Sequence, residues 1–168
     1  MSKVIGIDLG TTFSAIAGLD DMGNPEVIPS IEENRKITAS AIYVNGSNVI
    51  VGDKALDYVV KEPNKVITQT KREMENDMVY SVNEGKWKAS EGYETDVYTP
   101  TQISSLILKK LKDYTSDVKK AVITVPAMFA EDARRATLDA AKLAGLEVIE
   151  LINEPTAAVL PYASLPGV

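Results

Sequence analysis

The alternation of apolar and polar residues at the start of the chain predicts three short strands. Apolar residues dominate residues 4–9 and 13–19, and a shorter run covers residues 26–29. The link Gly10-Thr11-Thr12 between the first two runs is too short for a crossover helix, so we expect a tight antiparallel turn there. The Gly, Asn and Pro residues of positions 21–25 predict a second hairpin, between strands two and three.

The middle of the chain is more polar, and its pattern predicts a small inserted subdomain. Its candidate elements are strands at residues 40–44 and 49–51, a helix at 53–60, and a hairpin of residues 80–82 and 86–89 around Asn83-Glu84-Gly85. We therefore assign residues 31–97 to an inserted α+β subdomain. Residues 1–30 and 98–168 form the core.

The last third of the chain predicts helices that alternate with buried strands. Thr99 and Gln102 form a capping box around Pro100 at the first helical position. Apolar residues then recur at helical spacing, at positions 103, 106, 107, 111 and 114. A strand at residues 121–125 and one at 147–152 flank a helix that has Glu131 and Asp132 in its first turn and Gly145 at its end. This βαβ unit requires parallel strands, so the fold class is α/β.

Composition narrows the possible chemistry. The 168 residues include neither cysteine nor histidine, which excludes disulfides, zinc–thiolate sites and catalytic triads with histidine. The net charge of −6 and the absence of a basic block argue against nucleic acid or an anionic membrane as a partner. No apolar run approaches the length of a membrane span, so we expect a soluble, cytoplasmic protein. Carboxylates, lysines, hydroxyls, backbone amides and oxygen-bound metals such as Mg²⁺ remain.

The turn after the first strand is the best candidate for a phosphate and metal site. Asp8 ends the strand, where its carboxylate can face a hydrated cation. Gly10 has no Cβ, so its backbone can approach a phosphate closely, and Thr11 and Thr12 add hydroxyl and amide donors. A plain hairpin turn explains these residues equally well from their spacing alone.

Four motifs resemble those of one family. Residues 6–14 (GIDLGTTFS) resemble the first phosphate loop of the Hsp70 chaperones, which belong to the superfamily of actin, hexokinase and Hsp70 ATPases. The other three motifs are Lys71-Arg72, residues 121–129 (AVITVPAMF) with 134–137 (RRAT), and residues 152–158 (INEPTAA). This resemblance spans essentially the whole chain. It implies an actin-like ATPase (ribonuclease H-like) core sheet of mixed strands with flanking helices, plus the small insert.

The resemblance implies roles for the opening loop. Asp8 is expected to hold Mg²⁺ or K⁺ through water. Gly10, Thr11, Thr12 and Phe13 are expected to bind the β- and γ-phosphates of ATP or ADP.

It also implies roles for four residues elsewhere. Lys71 is expected to neutralise charge on the γ-phosphate and to help place the attacking water, and Glu154 to orient metal-bound water and the nucleophile. Pro126 and Arg134 resemble a relay that passes the nucleotide state to the substrate domain. From spacing alone, a solvated lysine, a helix cap, a strand terminator and a solvated helix charge explain these four residues. The expected catalytic set is Asp8, Thr11, Lys71 and Glu154.

As a whole, the resemblance implies the N-terminal lobe of a chaperone ATPase that couples ATP hydrolysis to binding and release of unfolded polypeptide. The implied partners are polypeptide clients, which bind a C-terminal domain absent from this chain, a J-domain cochaperone and a nucleotide exchange factor. The family's second phosphate loop and adenosine-binding motif are expected beyond Val168. The isolated chain is therefore expected to bind ATP very weakly and not to hydrolyse it.

Departures from the family pattern indicate a divergent member. They lie at residues 73–77, at Thr38-Ala39-Ser40, where a proline is usual in the middle, and at Pro161, which we expect to interrupt the helix after Glu154. Two alternatives share parts of these motifs. One is an actin-like protein that forms filaments, and the other is a sugar kinase, although no sugar-binding cluster is evident.

Overall fold

A mixed sheet organises the fold. The computed structural model describes residues 4–32, 34–74, 78–81, 85–88 and 97–163. The strands are β1 (Val4–Asp8), β2 (Phe13–Leu19), β3 (Pro25–Val27), β4 (Thr38–Ala39), β5 (Ala41–Asn45), β6 (Asn48–Val51), β7 (Val66–Thr68), β8 (Met78–Ser81), β9 (Gly85–Lys88), β10 (Val97–Tyr98), β11 (Lys120–Val125) and β12 (Glu147–Asn153). The helices are α1 (Asp53–Leu56), α2 (Pro100–Lys112), α3 (Glu131–Leu143) and α4 (Glu154–Ala163), with 3₁₀ turns at Pro63–Lys65 and Thr70–Glu73.

The main sheet has the order β12-β11-β1-β2-β3, and β4 pairs with β2 beside it. Strand β1 is antiparallel to β2 and parallel to β11, and β11 is parallel to β12. Strand β3 completes the predicted second hairpin, although it ends at Val27 and is shorter than the predicted run of residues 26–29. The antiparallel turn and the βαβ unit are confirmed. The register puts Asp8 opposite Thr124, at the edge where β1 and β11 both end.

Helix α2 covers the sheet with the apolar face that its sequence predicts. Thr99 and Gln102 form both hydrogen bonds of the capping box. Ile103, Ile107 and Leu111 are fully buried, as is Leu108, which lies outside the predicted stripe. These side chains pack with the isoleucines of β1, β2 and β11 into one apolar core.

Helix α3 ends where glycine permits a left-handed residue. Gly145 has φ +73°, a conformation that residues with a Cβ rarely adopt. Nearby, the Lys112 ammonium donates to the carbonyls of Ala144 and Gly145, at 3.3 and 3.2 Å. A cation at this end stabilises the last turn, which anchors α3 against α2.

Two small sheets, β6-β5-β7 and β10-β8-β9, lie in the region predicted as an insert. The β8–β9 pairing is antiparallel as predicted, while residues 75–77, 82–84 and 89 of the predicted features lie outside the described residues. Buried side chains of this region, Ile42, Val44, Ile67 and Tyr80, belong to the same apolar core as the main sheet.

Two predictions about helices are wrong. The predicted helix at residues 53–60 stops at Leu56, because α1 buries only Ala55 and the apolar Val59 and Val60 are exposed. An apolar stripe without a packing partner does not extend a helix. Helix α4 runs through Pro161 to Ala163. The proline lies two residues before the end of α4, so most of the helix precedes the hydrogen bond that it removes. Among the described residues, no helix is long and apolar enough to span a membrane.

Candidate active site

A cleft of about 430 Å³ brings several of the predicted site residues together. It is lined by Thr11, Lys71, Arg72, Pro126, Met128 and Phe129. These side chains come from the turn after β1, from the 3₁₀ turn Thr70–Glu73 and from the segment after β11. The volume is within the range typical of small-molecule sites.

The turn after β1 is held together by hydroxyl groups. The Gly10 amide donates to Ser14 Oγ at 3.2 Å, and the Gly10 carbonyl accepts from Ser40 Oγ at 2.8 Å. The two serine hydroxyls are 2.8 Å apart and both are buried. Ser14 lies within the motif quoted above, but Ser40 is 26 residues away in sequence and only the fold shows its contact.

A steric constraint explains why position 10 is a glycine, and this constraint differs from the close approach to a phosphate that the sequence predicts. A Cβ at this position would lie 2.0 Å from the carbonyl oxygen of Phe13. The space that a side chain needs is therefore taken by the turn itself. Glycine is required here to close the turn, whether or not a phosphate approaches.

Asp8 lies at the end of β1 with its carboxylate exposed. Thr124 Oγ1 donates to Asp8 Oδ1 at 2.6 Å across the parallel pairing of β1 and β11. Thr124 was not predicted as a site residue, although the parallel register of these strands is the signal that could have found it. The contact fixes the direction of the carboxylate that we expected to face a cation.

Lys71 is not a solvated surface lysine. Only 6% of its side chain is exposed, and its ammonium lies 2.6 Å from Glu154 Oε1. Its Nζ also lies 5.9 Å from the centre of the Phe129 ring, within reach of a cation–π contact. Glu154 begins α4 directly after β12, so two residues that are 83 positions apart form one ion pair. Both were predicted site residues, but their contact was not.

Arg134 on α3 joins the segments that carry the partners of Lys71. Its Nη2 donates to Asn153 Oδ1, next to Glu154, and its Nε donates to the Phe129 carbonyl at 3.4 Å. Arg134 is therefore not a free helix charge. The turn that presents Phe129 is closed by a bond from its N–H to the Pro126 carbonyl, at 3.1 Å.

The lining of the cleft fits an anionic group better than a metal ion held by acidic side chains alone. Within the described part of the chain, no three acidic side chains are close enough to hold a metal. A largely buried ammonium at a cleft, by contrast, fits a phosphate group.

Comparisons with known proteins agree in pointing to one family. The model of the family described as Hsp70 protein matches residues 4–164. Proteins described as "Chaperone protein DnaK" from Thermotoga petrophila, Thermotoga sp. strain RQ2 and Thermotoga maritima are each 40% identical to the chain over 164 residues. The matched region is 95% of this chain and 26% of each relative, so the chain spans about a quarter of the length of these curated relatives.

Proposed function

The chain belongs to the Hsp70 family, and from that premise we propose that it forms the first lobe of a chaperone ATPase. In this proposal the cleft binds the phosphates of Mg·ATP. The observation that carries it is the buried Lys71 ammonium at the cleft, paired with Glu154 at 2.6 Å. The family match also favours this function over an actin-like filament protein or a sugar kinase.

The proposed mechanism relies on positioning and on charge neutralisation. Phosphoryl transfer to water needs little covalent help from the protein. The Gly10 amide already donates to Ser14 Oγ, so the amides of Thr11, Thr12 and Phe13 and the Thr11 hydroxyl bind phosphate oxygens. Lys71 neutralises charge on the γ-phosphate. Asp8 and Glu154 hold Mg²⁺ or K⁺ through water, and Mg²⁺, when bound, supplies positive charge to the transferred group.

The ion pair with Glu154 explains how the Lys71 ammonium can be buried at the cleft where we propose that a phosphate binds. A buried ammonium without a counter-charge is costly, and Glu154 satisfies it at 2.6 Å. With a nucleotide bound, the γ-phosphate shares Lys71, and the Glu154 carboxylate is released to orient the attacking water. Pro126 lines the same cleft as Lys71, and Arg134 binds Asn153 and Phe129, which supports a role for both as a relay to a substrate domain.

The matched region is 26% of each curated relative, so the remaining parts of the proposed function concern the complete protein. We propose that residues 31–97 form an inserted subdomain and that a second lobe and a peptide-binding domain complete the protein. Unfolded polypeptides, a J-domain cochaperone and a nucleotide exchange factor are the proposed partners. The isolated chain is then expected to bind ATP very weakly and not to hydrolyse it, and the cytoplasmic location stays a prediction.

The sharpest test of this function is Lys71→Ala in the complete protein. We expect single-turnover hydrolysis of ATP to slow by about 10²–10³-fold, as for the loss of one preorganised charge donor. Lys109→Ala is the control, because Lys109 is exposed on α2, away from the cleft. A rate within tenfold of the wild type for Lys71→Ala would contradict the proposed role.

A further inference from the structure

Ser40 binds two carbonyl groups of the opening turn at once. It lies between β4 and β5, and 5% of the residue is exposed. Its hydroxyl donates to the Gly10 carbonyl at 2.8 Å, and its backbone N–H donates to the Thr12 carbonyl, also at 2.8 Å. One residue of the insert region therefore holds both ends of Gly10-Thr11-Thr12.

The hydroxyl hydrogens of this network can be assigned in one consistent way. Since the Ser40 hydroxyl donates to the Gly10 carbonyl, the 2.8 Å contact between the two hydroxyls uses the hydrogen of Ser14. Ser14 Oγ in turn accepts from the Gly10 amide at 3.2 Å. The result is a closed ring that runs from the Gly10 N–H through both serines to the Gly10 carbonyl. Each bond in such a ring polarises the next.

Because peptide bonds are planar, the bonds that Ser40 makes with the Gly10 and Thr12 carbonyls also fix the direction of the N–H groups that follow them. The described residues include no cis peptide bond, and in a trans peptide the carbonyl of one residue and the N–H of the next point in opposite directions. Because the Gly10 and Thr12 carbonyls both point toward Ser40, the N–H groups of Thr11 and Phe13 both point away from it. Ser40 is buried, whereas Thr11 lines the cleft.

We propose that Ser40 is a positioning residue for phosphate binding. It directs the Thr11 and Phe13 amides away from the buried side of the turn, so that they are in place as donors before a phosphate arrives. The Gly10 amide, which donates to Ser14, serves the turn itself. This inference rests on the proposed function, because it assigns a residue to the same phosphate site. It also makes the insert region a direct determinant of the shape of the turn.

The test compares Ser40→Ala with wild type in the complete protein. The variant loses the bonds to Gly10 and Ser14 but keeps the backbone bond to Thr12. We expect the Kd for Mg·ATP to rise roughly tenfold, because the donors are no longer preorganised. The single-turnover rate at saturating ATP should stay within about threefold, since a contact made equally in ground and transition states affects binding only.

Hydrogen exchange provides a readout that does not depend on nucleotide. Mass spectrometry of the peptide that spans residues 9–14 should show faster exchange in Ser40→Ala, by about fivefold or more, because the ring that protects the Gly10 amide is broken. Ser40→Cys fills the same space with a weak donor and should behave like Ser40→Ala. Thr137→Val is the matched control. It removes a buried hydroxyl that donates only within α3, to the Ala133 carbonyl at 2.9 Å, and should change neither quantity.

The outcomes separate the two proposals. If wild type binds ATP and Ser40→Ala binds it equally well with unchanged exchange, the assignment of Ser40 is wrong and the proposed function stands. If wild type binds no ATP, the proposed function is wrong and the phosphate role of Ser40 falls with it. A loss of stability that is equal in Ser40→Ala and Thr137→Val, without a selective change in Kd, would also overturn the inference.

Discussion

Two sets of contacts support the residues that line the cleft, and we call them the loop wall and the charged wall. The loop wall is the turn at residues 10–13 with Ser14 and Ser40, and it is held by neutral hydrogen bonds and by close contact of backbone atoms. The charged wall is Lys71, Glu154, Arg134, Asn153 and Phe129, and it is held by ionised side chains from separate parts of the chain.

This difference determines how each wall responds to change. The loop wall contains no charge in its supporting contacts, so neither salt nor pH near neutrality should weaken it. Its tolerance to substitution is limited by the space at Gly10, which the Phe13 carbonyl occupies. The charged wall depends on burial, because an ion pair is strong only where water is excluded. Substitutions that add a side-chain atom should therefore destabilise the loop wall, and substitutions that remove a charge should destabilise the charged wall.

The largest effect is expected from Gly10→Ala, which breaks the loop wall alone. The new Cβ would lie 2.0 Å from the Phe13 carbonyl oxygen, a backbone atom that cannot move without opening the turn. We expect the free energy of unfolding to fall by about 2 kcal/mol, the usual cost of overpacking. Urea denaturation of the two proteins measures this difference.

A second glycine in the same region provides the control for Gly10→Ala. Gly6 lies in β1, and a Cβ built on it would have no atom within 4 Å. Gly6→Ala should therefore change the free energy of unfolding by less than about 0.5 kcal/mol. Equal denaturation midpoints for the two variants would show that the turn is not sterically closed.

The next largest effect is an unequal loss of stability when one or the other partner of the Lys71–Glu154 ion pair is replaced. Glu154→Gln leaves the buried Lys71 ammonium without its carboxylate, whereas Lys71→Met removes the charge and keeps an apolar stem. Since 43% of the Glu154 side chain is exposed, we expect a loss of about 1 kcal/mol for Glu154→Gln. Lys71→Met should lose less. Thermal denaturation of both variants and of the double mutant gives the interaction energy between Lys71 and Glu154. A larger loss of stability for Lys71→Met would show that the contact of Lys71 with Phe129 stabilises the protein more than the ion pair does.

The two walls also differ in how far the sequence predicts them. The turn between β1 and β2 is set by the length of a short link, and the start of α2 by the local capping box, so both were predicted correctly. The stop of α3 at Gly145 follows from the same kind of local chemistry. Features that depend on neighbours in sequence are accessible to sequence reasoning.

The contacts that complete the cleft depend on the fold. Ser40 reaches Gly10, and Arg134 reaches Asn153, only because strands and helices bring these segments together. The resemblance to a family placed Lys71 in the site, but its burial and its ion pair could not be derived from spacing. The overextended prediction for α1 has the same origin, because burial and not propensity ends that helix at Leu56.

An exposed ion-pair cluster tests whether burial is what gives the charged wall its strength. Glu32 accepts from Lys110 on α2 at 2.7 Å and forms an ion pair with Lys54 on α1 at 3.1 Å. It has two ammonium partners, whereas one ammonium, that of Lys71, pairs with Glu154 among the described residues. The two carboxylates are similarly exposed, but Lys54 and Lys110 are 56% and 24% exposed where Lys71 is 6% exposed. The hydrogen bond from Lys110, followed by that from Lys54, lowers the pKa of Glu32 from its usual value of 4.5.

Glu32→Gln should therefore have the smallest effect, in spite of its two partners. Because the pKa of Glu32 is lower in the folded state, its stabilisation is present above about pH 4.5 and is lost as the pH falls through the folded-state pKa. We expect the variant to lose less than about 0.5 kcal/mol at pH 7 and to lie closer to wild type at about pH 3 than at pH 7. Urea denaturation at both pH values measures this. A loss at pH 7 as large as that of Glu154→Gln would mean that the number of partners, and not burial, sets the strength of these ion pairs.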